Sequence, residues 1–169
     1  MDKRITGAAA LIVLIIGTGV AQAGKPKAAE AMKVAKAWVA AVDEGKVEAA
    51  AALTAFPLWV VAEPLDGERD PCRKTVTDPA KLGEAIECLE SYIEGSGVWK
   101  AWSKKMADGL VEPLLAPRKK LDKLAKTSAV VVQYRECAGV EGWSIVVVSD
   151  TKDGPRVTGF VEGAAYCGE

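Results

Sequence analysis

Between Met32 and Val61 the apolar positions follow first one period and then another. Val34, Trp38, Ala41 and Val42 recur at three- and four-residue steps, which places them on one helix face, while Lys33, Lys36 and Glu44 fall elsewhere. The segment is rich in alanine, the best helix former. Gly45 predicts the stop, because glycine takes a positive φ without a Cβ clash. Lys46 to Leu53 restarts the helix through Val47, Ala50, Ala51 and Leu53. Pro57 cannot continue it, and Leu58 to Ala62 reads as a short buried strand.

From Glu63 to Lys74 the chain (EPLDGERDPCRK) becomes polar and rich in turn residues, so a loop is expected. Glu63, Asp66, Glu68 and Asp70 do not match the spacing of a calcium loop and read as solvated. Asp78 is a candidate helix N-cap, with Pro79 at the first helical position. Leu82, Ile86, Leu89 and Ile93 then form an apolar stripe that Gly95-Ser96-Gly97 ends. Trp99, Trp102, Met106 and Leu110 repeat at helical spacing, so Val98 to Leu110 is expected to be a further helix. Arg118, Lys119, Lys120, Lys123 and Lys126 follow without interleaved aromatics and read as a solvated helix face.

After Lys126 the period changes. Ala129 to Arg135, Trp143 to Ser149 and Pro155 to Glu162 are β-branched, aromatic or alternating. The last of these puts Val157, Gly159 and Val161 on one side and Thr158, Phe160 and Glu162 on the other. Turn residues fill the connections, which predicts an antiparallel meander. Helices first and strands last give an α+β fold: N-terminal helices packed on a curved antiparallel sheet formed mainly by the C-terminal strands.

The chain's first residues change the setting. Asp2, Lys3 and Arg4 precede an apolar run from Ile5 to Val20, and Ala21-Gln22-Ala23 supplies small residues at a cleavage point. This is the pattern of a secretory signal peptide. The run is short of the roughly 20 residues of a bilayer span. Residues 1–23 are therefore expected to be removed, leaving 24–169 as one domain, periplasmic or secreted and without a stable membrane anchor. The signal carries two basic residues and one acidic, so the net charge of −1 becomes −2 without it. That balance gives no drive toward nucleic acid.

An oxidising compartment turns the four cysteines into disulfide candidates. Three connectivities are open; the expected one is Cys72–Cys88 and Cys137–Cys167. The absence of C-x-x-C spacing and of any histidine argues against a zinc site, and no metal or cofactor is expected.

The stretch WVAAVDEGK (Trp38 to Lys46) followed by AALTAFPL (Ala51 to Leu58), with a later helix and terminal antiparallel strands, resembles the opening and element order of nuclear transport factor 2-like domains. The resemblance implies a cone in which a bent sheet wraps a long helix around a pocket. The chain departs from it in having Gly45-Lys46 where many members have Gly-Asp, and in the long segment from Val98 to Lys126. Enzymes among these domains often pair Asp with His or Tyr, and no matching positions stand out here.

With no histidine, Ser-His-Asp and Cys-His sites are excluded. Asp43, at the end of the first helix, is the least bland carboxylate and still reads as a solvated terminus. The leading expectation is a non-catalytic envelope domain binding a small apolar ligand or a protein partner. Trp38, Trp59 and Trp143 are its candidate ligand-binding residues, although core filling is the plainer role of a buried Trp. A structural or homodimerising module, using an open sheet face, is the alternative. A carboxylate-based isomerase or dehydratase is third and rests on fold analogy.

Overall fold

A computed structural model of the chain describes residues 25–63, 70–89, 97–103, 115–135 and 140–166. The signal segment, Cys137, Cys167, Ile93, Met106 and Leu110 lie outside the described residues.

The first helix, α1 (Ala28–Asp43), buries Ala31, Ala35, Trp38, Val39 and Ala41. Small and apolar residues on one side let it lie close to the sheet. It ends as its sequence demands: Gly45 has φ 66°, its N–H donates to the Val42 carbonyl, and the Lys46 N–H reaches back to Ala41. This crossed pair of bonds is the Schellman stop, which satisfies otherwise orphaned carbonyls. Helix α2 (Val47–Ala52) follows and leads into β1 (Thr54–Glu63), which contains a cis Phe56–Pro57 bond.

The sheet has six strands in the order β2-β1-β6-β5-β4-β3, with β2 Cys72–Val76, β3 Val98–Ala101, β4 Ala129–Arg135, β5 Val140–Thr151 and β6 Gly154–Tyr166. The C-terminal meander is antiparallel as expected, and Gly154, at φ 88°, opens the β6 strand at the tight turn. The sheet is mixed, however, because β1 lies parallel to β6. A parallel pair needs a long crossover, and here more than half of the chain intervenes, from Glu63 to Gly154. Helices and a sheet that is curled but not closed make the expected α+β architecture.

The two sheet faces carry two apolar clusters. One gathers Trp38, Leu58, Val60, Val131, Val146, Val148, Val157 and Phe160 under α1, with Leu82 and Ala85 of α3 (Leu82–Ile86). The other gathers Val61, Val130, Val132, Trp143, Ile145, Val147 and Val161 with Leu121 of α4 (Leu115–Leu124). Strands β4, β5 and β6 are thus apolar on both sides, as a sheet between two layers must be.

Several readings need correction. Val98 to Ala101 is strand β3, paired with β4 through Val98↔Tyr134 and Ala101↔Val131, and not the start of a helix. The Trp99/Trp102 spacing fits either structure over so few residues, and an available sheet edge decided it. The helix after Asp78 is also shorter than its stripe. Asp78 does accept from the Ala80 N–H, but a 3-10 turn (Pro79–Lys81) comes first and α3 ends at Ile86. Strand β2 was not anticipated, because Arg73, Lys74 and Thr75 are exposed on an edge and leave no alternation to read. Finally, a bulge interrupts β6: Val147 faces Gly159 while Val148 faces Val157, leaving Thr158 over. Val157 therefore shares a face with Phe160, and Val161 takes the opposite one.

Candidate ligand-binding cavity

Register brings buried polar groups into line on the α1 face. Gln133 of β4 pairs with Ser144 of β5, and Ser144 pairs with Glu162 of β6. All three are buried, at 6%, 5% and 3% exposure respectively. Such burial is costly unless the groups find partners, so a row of this kind has to be accounted for.

Ser144 and Glu162 line a cavity of about 200 Å³ together with Val39, Val42 and Asp43 of α1, Phe160, and Ile86 and Leu89 at and beyond the end of α3. Glu162 is at its buried end, and Asp43 is exposed. Five apolar side chains thus line it together with two carboxylates and a hydroxyl. Both carboxylates make polar interactions within the protein. Phe160 packs on Trp38 with ring centroids 4.9 Å apart. The disulfide Cys72–Cys88, with Cα atoms 6.2 Å apart, ties β2 to the segment carrying Ile86 and Leu89, so it braces one wall.

The tryptophans picked out as ligand candidates do not converge there. Trp38 is fully buried beneath α1, where its Nε1–H donates to Thr54 Oγ1 at 2.9 Å. Trp143 is fully buried on the opposite face, against Gly163, where a Cβ would come within 2.9 Å of its ring. Trp59 shares that second face and lines a separate cavity of about 170 Å³ with Val61, Glu63, Arg73, Pro117 and Lys120. Lys120 Nζ lies 3.5 Å from the Trp59 ring centroid. Burial lowers its pKa, and the ring face works in the other direction by favouring the cation. Glu63 and Arg73 form an ion pair at 2.9 Å. A third cavity, about 160 Å³, lies near the start of α1 between Pro26, Met32, Trp102 and Val130. Among the described residues no cluster of His, Cys, Asp and Glu could hold a metal ion.

Sequence reasoning reached Asp43 but missed Gln133, Ser144 and Glu162 as a group. Their signal is faint: a polar residue at an inward position of each apolar strand. Only pairing shows that the three stand side by side.

No family model and no curated protein matches the chain. Solved structures do. A ketosteroid isomerase-like protein from Erwinia carotovora atroseptica SCRI1043 is 8% identical, with a TM-score of 0.42 over 83% of this chain and 96% of that one. An NTF-2 like protein of unknown function from Silicibacter pomeroyi DSS-3 is 14% identical, with a TM-score of 0.43 over 79% of this chain and 92% of its own. An ntf2-like protein with a cystatin-like fold from Novosphingobium aromaticivorans is 11% identical, with a TM-score of 0.43 over 80% and 79% of the two chains.

Proposed function

We propose that this domain binds a small molecule with an apolar body and a polar head in the cavity between α1, α3 and the sheet, with Glu162 anchoring the head. The observation that carries this reading is a carboxylate at 3% exposure lining a cavity whose other walls are Val39, Val42, Ile86, Leu89 and Phe160, with Ser144 and the exposed Asp43. Apolar walls with a few convergent polar groups are what small-ligand sites share. The volume of about 200 Å³ is modest and suits a compact molecule of roughly seven water-sized groups. Benzyl alcohol is a suitable probe. Titration calorimetry is expected to show binding that Glu162→Gln weakens at least tenfold while the melting temperature stays within a few degrees. Equal affinity in the variant would remove Glu162 from the site.

A second reading has its own support, because Asp43 and Glu162 face one apolar space. Two carboxylates there could move a proton on a bound carbonyl compound, as general acid–base chemistry requires groups within hydrogen-bond reach of the reacting atom. The dimerising alternative began from an open sheet face. On the second face Val130, Val132, Ile145 and Val147 are buried within the chain, whereas Trp59 and Tyr134 are only partly buried and Arg73 and Thr75 at the edge are exposed.

Export remains part of the proposal. The disulfide Cys72–Cys88 suits an oxidising compartment, and among the described residues no helix is long and apolar enough to cross a membrane. We also propose a Cys137–Cys167 bridge: Val140 pairs with Tyr166, so both cysteines are a few residues beyond paired ends of β5 and β6. Intact mass of the exported protein without reductant is expected to equal residues 24–169 less four hydrogen atoms, two for each bridge. A retained Met1, or two alkylatable thiols, would refute the corresponding half.

A further inference from the structure

Strand β1 builds a second constellation on the sheet face away from α1. Register sets Trp59 opposite Thr75 and Val61 opposite Arg73, so these side chains share that face beside the β2 edge. Leu121 of α4 packs on the same face, and Trp59 is half-buried next to it. The Trp59 indole is seated against Gly159, where a Cβ would come within 3.1 Å of the ring. Over that ring lies Lys120, its Nζ 3.5 Å from the centroid. Among the described residues the ammonium makes no hydrogen bond or ion pair, so no acceptor of the protein meets its three donors. Arg73 gives Nη2 to Glu63 Oε1 at 2.9 Å, and its Nε and Nη1 meet no acceptor among the described residues. The cavity of about 170 Å³ that these groups line therefore has two cations and one carboxylate on its walls, and the carboxylate is already paired. Val61 and Pro117, both buried, give it an apolar side. Unmet N–H donors carrying positive charge attract an anion and repel a cation. Burial lowers the Lys120 pKa, and an anion at its side would favour the charged form again.

We infer that this cavity is a second binding site and takes a compact organic carboxylate, whose apolar body rests on Val61 and Pro117 while its oxygens accept from Lys120 and Arg73. The planar guanidinium of Arg73 matches a carboxylate in shape, and the Lys120 ammonium adds a point charge that the indole holds in place. The volume suits a molecule of about six water-sized groups. This site stands apart from the cavity beneath α1. The two are on opposite faces of the sheet and share no lining residue.

Benzoate is the probe, and benzylamine, with the same ring and the opposite charge, is the control. Each is titrated into the disulfide-bonded protein near neutral pH and followed by NMR. Benzoate is expected to shift the N–H signals of Val61, Arg73, Lys120 and the Trp59 indole, and to leave those of Ser144 and Glu162 unmoved. Benzylamine is expected to shift none of the first group. Lys120→Met keeps an unbranched side chain over the ring and removes the charge, so it should weaken benzoate by about tenfold or more. Lys120→Arg restores the charge and should hold the affinity within about threefold of the parent. Both melting temperatures should stay within a few degrees of the parent, because Lys120 is exposed. Equal benzoate affinity in Lys120→Met would overturn the role of Lys120. Benzylamine shifting the same signals as strongly would overturn the selection for an anion. Shifts centred on Ser144 and Glu162 would move benzoate to the other cavity and overturn this site. No shift from benzoate anywhere would also overturn it, and would leave the reading of the α1 cavity, tested with benzyl alcohol, standing.

Discussion

Replacing Trp38 with alanine is expected to destabilise the domain by about 3–5 kcal/mol, the range for deleting a large aromatic from a core. Trp38 is fully buried, packs on Phe160 at 4.9 Å and hydrogen-bonds Thr54 through Nε1. Thr54 Oγ1 passes the interaction on, donating to the Ala50 carbonyl of α2 at 2.8 Å. One side chain thus joins α1, α2, β1 and β6. Domains of this size have about 5–15 kcal/mol to lose, so the variant should sit near the edge of folding. Thermal melts followed by circular dichroism should show a drop of roughly 6–20 °C. Thr54→Val separates the two contributions. It removes the acceptor for the indole and leaves the ring in place, and should cost only about 1–3 kcal/mol. A Trp38→Ala midpoint close to that of the parent would contradict this account of the core. Because Phe160 also lines the cavity, surviving protein should bind benzyl alcohol more weakly than the parent does.

Removing the Cys72–Cys88 bridge is the second large effect. The cysteines are 16 residues apart, and closing a loop of that size stabilises a fold by about 3 kcal/mol in the chain-entropy model. The double change Cys72→Ser, Cys88→Ser should lower the urea midpoint accordingly, and reductant should move the parent toward the same value. The location of the bridge makes a further distinction. Cys88 lies between Ile86 and Leu89, both at the cavity wall, and α3 is only a short helix. Hydrogen exchange should therefore quicken around α3 and β2 before it quickens in β5 and β6, whose valines are buried on both faces of the sheet. Uniform loss of protection across the domain would show that the bridge supports the whole fold and not this wall.

Sequence pattern alone settled the features governed by local rules. Gly45 ended α1 because a positive φ was needed there and a Cβ would have opposed it. The valine-rich runs became strands because β-branched side chains suit a pleated, buried surface. Asp78 capped the next turn because a side-chain carboxylate can take an otherwise unmet N–H. The α+β order and the Cys72–Cys88 pairing were accessible for the same reason: both involve neighbours in sequence.

The tertiary structure decided what depends on distant strands meeting. Val98 to Ala101 turned from helix to strand because β4 offered an edge whose backbone groups needed partners. The bulge at Thr158 reversed the face of Val157, and no single-strand alternation could reveal it. The parallel β1–β6 pairing joins segments roughly a hundred residues apart, and it brings Ala62 beside Glu162. The cavity is the extreme case. Asp43 is on a helix, Leu89 follows another, and Ser144 and Glu162 are on two neighbouring strands, each ordinary in its own segment. Ser144 and Glu162 are placed side by side and shut away from water, and register and burial are properties of the whole sheet.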